Sequence, residues 1–241
     1  VSLDENTIMG VDLGIKKAVY WAFSDSLKRG WIDGGEIEAF RKSIHARRVE
    51  IQRQGKYCGE GRNGHGVGRK LKPVQKLSDI EHNFNARINH CYAKKVVQEA
   101  VKHHCSVIQM EDLTGISSKE QDNKFLRGWT FYDLQNKIIE KAESYGIKIV
   151  KVNPEYTSQR CSECGYIDAN NRLRQDTFIC QKCGYGSKYI CNSCQHIQTG
   201  SGVCEKCKGS VKPMVVNADY NAARNLAIKG IDKIIKKETS K

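Results

Sequence analysis

Residues 131–152 read FYDLQNKIIEKAESYGIKIVKV, and this stretch decides the fold. Leu134, Ile138 and Ala142 recur every four residues, the spacing of one helix face, so a helix is expected over residues 131–145. Gly146 is a helix stop, and IKIVKV at residues 147–152 is too short and too β-branched to be anything but a strand. Upstream, CSVIQME at residues 105–111 is another short apolar run that ends in an acidic residue, with Gly115 a few positions on. A strand, a helix and a second strand in that order indicate an α/β sheet.

Working back, residues 77–104 place Ile80, Phe84, Ile88, Tyr92, Val96, Val97 and Val101 three to four apart, which predicts a long amphipathic helix. Ser78 is its expected N-cap, and Glu81 completes a capping box. Residues 55–76 hold six glycines and one proline and are expected to form a flexible cationic loop. Residues 40–54, FRKSIHARRVEIQRQ, predict a basic surface helix. At the start, residues 7–13 and 17–23 predict two strands joined by a hairpin at Gly14-Ile15-Lys16, with a third strand over residues 31–37. At the other end, residues 219–237 predict a single final helix.

Between these lies a block of different chemistry. Of eleven cysteines, eight form four C-x-x-C pairs: Cys161/Cys164, Cys180/Cys183, Cys191/Cys194 and Cys204/Cys207. Each such turn offers two thiolates to one tetrahedral ion, and two turns close a four-sulfur site with no open coordination position, so about two structural zinc ions are expected. Sequential pairing, first with second and third with fourth, is the leading arrangement; nested or cross-braced pairing is the alternative. Cys58, Cys91 and Cys105 stand alone and read as ordinary residues. Zinc thiolates in place of disulfides point to a reducing, cytoplasmic compartment. No apolar run is long enough for a membrane span, and residues 1–6 do not resemble a signal peptide, so a soluble, unsecreted protein without a membrane partner is expected.

Forty Lys and Arg against 27 Asp and Glu give a formal charge of +13 over 241 residues. Eight thiolates around two divalent ions would remove about four of those charges. The remaining surplus suits a polyanionic partner, nucleic acid above all. Arg41, Lys42, Arg47, Arg48, Arg53, Arg62, Arg69 and Lys70 are the candidate phosphate contacts.

Three carboxylates sit at element ends: Asp12 after the first strand, Glu111 after CSVIQM, and Asp219 at the start of the last helix. Hard cations take oxygen ligands, and a metal pair needs converging carboxylates to hydrolyse a phosphodiester. Each residue also has a plainer reading: Asp12 as a turn residue, Glu111 as a solvated strand end, Asp219 as a helix N-cap. Asp112 competes with Glu111, but successive strand side chains face opposite ways, so at most one of them joins a site.

The segments GVDLGIKKAV, QMEDLTGIS, FLRGWTFYDLQNKIIEKAESYGI, VNPEYTSQRCSECGY, FICQKCGY and ADYNAARNLA resemble, in order, the RuvC-like nuclease core of transposon-encoded TnpB proteins and of compact type V CRISPR effectors, the miniature Cas12 enzymes. The resemblance spans nearly the whole chain. It implies an RNase H-like (RuvC) α/β fold over residues 1–155 and 217–241, with an inserted cysteine-rich zinc-ribbon subdomain at residues 156–216. It also implies RNA-guided DNA cleavage, with guide RNA and target DNA as partners and Asp12, Glu111 and Asp219 as the catalytic triad around about two magnesium or manganese ions. Family members carry an N-terminal half that grips the guide, whereas Asp12 here is only eleven residues from the start, so that half of the same polypeptide is an expected partner. A second departure is the pair of extra knuckles within residues 186–215, where the usual ribbon has two. The rival expectation is a zinc-ribbon module that binds nucleic acid through a catalytically idle RNase H-like fold.

Overall fold

The structure is a computed structural model and describes residues 2–14, 16–56, 67–113, 131–174, 176–198, 202–213 and 216–240. Its centre is one mixed sheet of five strands: β1 (Asp4–Leu13), β2 (Lys17–Phe23), β3 (Arg29–Asp33), β4 (Cys105–Glu111) and β5 (Lys148–Val152), in the order β3-β2-β1-β4-β5. The first three strands are an antiparallel meander, as the hairpin reading requires, and β4 and β5 run parallel to β1. Parallel neighbours need crossovers, which helices supply.

One face of the sheet is covered by α1 (Gly35–Lys56), α2 (Val67–Lys102) and α3 (Phe131–Glu143). Met9, Val11, Val19, Trp21, Ile108 and Met110 point into it and meet Ile88, Tyr92, Val96 and Val97 of α2 and Leu134, Ile138 and Ala142 of α3. Each large aliphatic side chain buried there contributes about 1.5–3 kcal/mol. The helices are tied to one another by the stacked rings of Phe40 and Phe84, 3.7 Å apart, and by Asn89 donating to Asp133 at 2.8 Å.

The opposite face carries α4 (Ala218–Leu226), with α5 (Ile231–Thr239) following it. Gly10 makes the approach possible: a Cβ there would stand 2.1 Å from the Ala223 carbonyl oxygen and 2.4 Å from the Ala227 nitrogen. Gln109, on the same face of β4, donates to the Leu226 and Ile228 carbonyls at 2.7 and 3.1 Å, taking up acceptors that the end of α4 leaves open.

Four expectations are corrected. The third strand stops at Asp33, and Ile37 is instead buried in the first turns of α1. The long helix begins at Val67, so residues 67–76 are helical and include Pro73 in the second turn, where only one backbone bond is forfeited. Ser78 therefore lies inside the helix, not at its cap, and Glu81 turns to α1, where it meets Arg48 at 3.0 Å and Arg41 at 3.9 Å; Ile80 is exposed. The last helix is two, broken where Gly230 takes a left-handed φ of 70°. No helix among the described residues is long and apolar enough to cross a membrane.

Candidate metal and nucleic-acid site

Asp12 and Glu111 are brought together by strand register. Val11 pairs with Met110 across the parallel β1–β4 ladder, so the two acidic residues stand one position further on, side by side at the strand ends. Strand alternation sends Asp12 to the face of Gly10 and Glu111 to the face of Gln109, both of which meet α4. Asp219 lies in the first turn of that helix. Its capping role falls to Asn217, whose side chain accepts from the Tyr220 N–H at 3.1 Å, so the N-cap reading of Asp219 does not hold.

The electrostatics carry the mark of crowded like charges. The Asp12 carboxyl is pushed well above its usual range by burial, then by the charges of Glu111 and Asp219. Burial also raises Glu111, opposed by a hydrogen bond from Thr157 and by Arg172. Asp219 is raised by burial and held back first by Arg172, whose guanidinium lies 3.6 Å away. Among the described residues Arg172 is thus the cation in ion-pair contact with the group, contributed by β6 (Arg172–Arg174), which pairs with β7 (Thr177–Phe178).

Sequence reasoning missed Arg172 and Thr157. The signal was present in the stretch NNRLR between the first two knuckles and in VNPEYTSQR, but neither spacing nor charge assigns a role to one arginine among many. Thr157 donates its hydroxyl to Glu111, while its carbonyl accepts from Asn225 on α4 at 2.9 Å. Asn225 and Asn221 also donate to the Arg160 carbonyl at 2.7 Å each, and Arg160 forms a bidentate pair with Glu238 at 2.8 and 3.0 Å. This buried network clamps the first knuckle to α4 and α5, and with it the side chains that orient Glu111.

The cysteines assemble as two closed groups, Cys161/Cys164/Cys180/Cys183 and Cys191/Cys194/Cys204/Cys207, which is sequential pairing. Sulfur separations of 3.6 and 3.7 Å in the first and 3.4 and 3.6 Å in the second are far too long for disulfides. They come close to the spacing of about 3.8 Å that a tetrahedral ion with 2.3 Å bonds imposes. Backbone N–H groups of Cys194 and Ser193 point at the Cys191 sulfur and bring its thiol down to about 6, favouring the thiolate that binds metal. The first group packs into the core with Tyr20, Ala22, Phe178, Ala218 and Ala223; the second closes on a small sheet of β8 (Tyr189–Cys191), β9 (Ile197–Gln198) and β10 (Val211–Pro213). Each group can hold one metal ion.

The candidate phosphate contacts divide. Lys42 pairs with Glu38 at 2.6 Å and Arg53 with Glu50 at 3.3 Å, both near the surface, while Arg41 and Arg48 turn to Glu81. Arg47 is exposed. Arg69 and Lys70 lie in the first turns of α2, and Arg62 and Cys58 lie outside the described residues.

A mixed α/β sheet with three carboxylates on one face and two tetracysteine groups beside it defines the class of protein. The comparisons with known proteins narrow it. Residues 131–189 match the family described as Cas12f1-like, TNB domain. The chain is 56% identical over 233 residues to a CRISPR-associated endodeoxyribonuclease Cas12f1 of Syntrophomonas palmitatica, covering 97% of this chain and 47% of that one. It is 47% identical over 233 residues to the Cas12f1 of Sulfoacidibacillus thermotolerans, covering 97% and 48%. A solved Cas12f1-sgRNA-target DNA complex aligns with a TM-score of 0.63 at 25% identity, over 95% of this chain and 51% of that one. The chain is a member of the compact type V CRISPR effector family to which its motifs pointed. It spans about half the length of the curated relatives it matches.

Proposed function

We propose that this chain is the RuvC-like catalytic part of an RNA-guided DNA endonuclease, with an RNase H-like fold over residues 1–155 and 217–241 and a zinc-ribbon insert at residues 156–216. The observation that carries the reading is the meeting of Asp12, Glu111 and Asp219 on one sheet face, where each raises the cost of the others' charge or is itself raised by burial. Buried carboxylates that repel one another suit a hard cation better than they suit an idle fold, which tells against the binding-module rival.

When bound there, two magnesium or manganese ions supply the Lewis-acid charge for phosphodiester hydrolysis. The chain's own residues do the positioning. Thr157 fixes the rotamer of Glu111, the Asn221 and Asn225 amides hold the ribbon against α4, and Arg172 is placed to meet a phosphate oxygen beside Asp219. One zinc ion in each tetracysteine group would keep the ribbon rigid without taking part in chemistry. Guide RNA and target DNA are the proposed partners, together with an N-terminal half of the same polypeptide, in the cytoplasm. In this reading base pairing, not the protein, recognises target sequence.

The test uses the longer polypeptide with guide RNA, matched DNA and magnesium. Asp12→Ala, Glu111→Ala and Asp219→Ala should each abolish cutting while guided DNA binding persists, because binding rests on remote phosphate contacts. Magnesium-dependent cutting that survives Asp219→Ala removes that residue from the triad.

A further inference from the structure

The cross-strand register continues the carboxylate face toward the open edge of the sheet. Asp12 pairs with Tyr20, and Tyr20 pairs with Trp31 on the edge strand β3. All three positions share the face that carries α4: the Tyr20 ring lies 6.1 Å from Tyr220 of that helix, and the Trp31 ring stacks on Tyr20 with centroids 5.7 Å apart and planes 23° from parallel. Trp31 is nevertheless 45% exposed. Neighbouring strands are about 4.8 Å apart, so Trp31 sits about 10 Å from Asp12 along the sheet, the length of about three stacked bases at 3.4 Å each.

Cations flank this row. The Arg29 guanidinium lies 4.6 Å from the Tyr220 ring centroid, and the Lys17 ammonium, paired with Asp33 at 2.5 Å, lies 5.3 Å from that of Trp31. A large aromatic surface on an edge strand, flanked by the Arg29 guanidinium and leading to three carboxylates, has the two components of a single-strand site: a π-face for unpaired bases and a cation for the backbone. A duplex hides its base faces in its own stack and offers nothing to an indole.

We propose that Trp31 is a base-stacking platform that seats an unpaired nucleic-acid strand, with Arg29 against its phosphates, and leads it to the carboxylates. The proposal rests on the nuclease reading for what happens at the carboxylates, but not for the binding itself. The occupant is a single strand because only unpaired bases offer a face to the exposed indole and because the patch is continuous with the site.

The experiment is an anisotropy titration of the 241-residue chain against a dye-labelled twelve-nucleotide thymidine strand and against a duplex of the same length. Trp31→Ala should weaken single-strand binding roughly tenfold, Trp31→Phe by no more than about threefold, and neither should change duplex binding. Because Trp31 is exposed, both variants should keep the parent's melting temperature. Unchanged single-strand binding by Trp31→Ala, or an equal loss on strand and duplex, overturns the platform. Asp12→Ala serves as the second arm. It should retain the Trp31-dependent binding, so if the nuclease reading fails for want of cutting while that dependence stays, the platform stands alone.

Discussion

Gly10 faces Ala223 so closely that a single methyl group on it would overlap the helix backbone, at 2.1 Å from the Ala223 carbonyl oxygen. That contact sets the height of α4 above the sheet, and so the distance from Asp219 to Asp12. The obstruction is backbone, which cannot rotate away as a side chain can. Gly10→Ala should therefore destabilise the fold by about 1–3 kcal/mol and depress magnesium-dependent cutting far more than it lowers the melting temperature. Urea unfolding beside a cleavage assay measures both; full activity in Gly10→Ala would show that α4 does not need this contact.

The two tetracysteine groups should behave differently when broken. Elemental analysis should return two zinc ions per chain, and Cys161→Ser and Cys191→Ser should each lose one. Cys161 packs with Tyr20, Ala218 and Ala223, so its loss should also lower the main melting transition and impair cutting. Cys191 belongs to the β10-β8-β9 sheet, and its loss should leave the main transition within a few degrees of the parent. One zinc ion per chain, with the other four cysteines readily alkylated in the folded state, would refute the two-cluster account.

Much of this was legible in residue order. The strands other than β3, and α3, could be read because their apolar runs were clean, and sequential pairing of the C-x-x-C turns stood as the leading arrangement among those that their order allows. The start of α2 could not be read. Gly68 and Pro73 weigh against a helix locally, yet the segment continues into turns that pack on α1 through Phe84 and Glu81, which is a tertiary effect. The break at Gly230 was hidden for the opposite reason, since Ala227, Ile231 and Ile235 keep helical spacing across it. Asp12, Glu111 and Asp219 could be nominated by their places at element ends. Arg172 could not, because its position beside Asp219 depends on how the ribbon docks.

The raised carboxyls predict how stability changes with pH when divalent ions are chelated. A carboxyl raised in the folded state favours folding when protonated; that contribution is fully present below its ordinary value of about 4 and is lost as pH rises through the raised value. Asp12→Asn removes a buried charge from beside Glu111 and Asp219. In chelator at pH 7 the variant should therefore melt above the parent, and the gap should close as pH falls toward 4. Added magnesium should raise the parent's melting temperature more than the variant's. A variant that melts lower than the parent at pH 7 without metal would mean that the carboxylates do not repel one another as described.

The basic helix α1 should show a division of labour between two adjacent arginines. Arg48 is half-buried and engaged with Glu81 of α2 at 3.0 Å, a pair that links the two helices, whereas Arg47 is exposed. An ion pair this close to solvent contributes about 0.2–1 kcal/mol, so Arg48→Ala should lower stability slightly. Its effect on nucleic-acid binding should be small, because Glu81 already neutralises it. Arg47→Ala should do the reverse. Each phosphate neutralised on a single strand adds about 0.7 to the slope of log affinity against log salt, so losing one contact should flatten the slope by about that amount and leave the melting temperature unchanged. Salt titrations of both variants against a single strand, from low salt to physiological salt, distinguish the two roles. If Arg48→Ala flattens the slope as much as Arg47→Ala, the pairing with Glu81 gives way to phosphate on binding, and α1 presents both arginines to the strand.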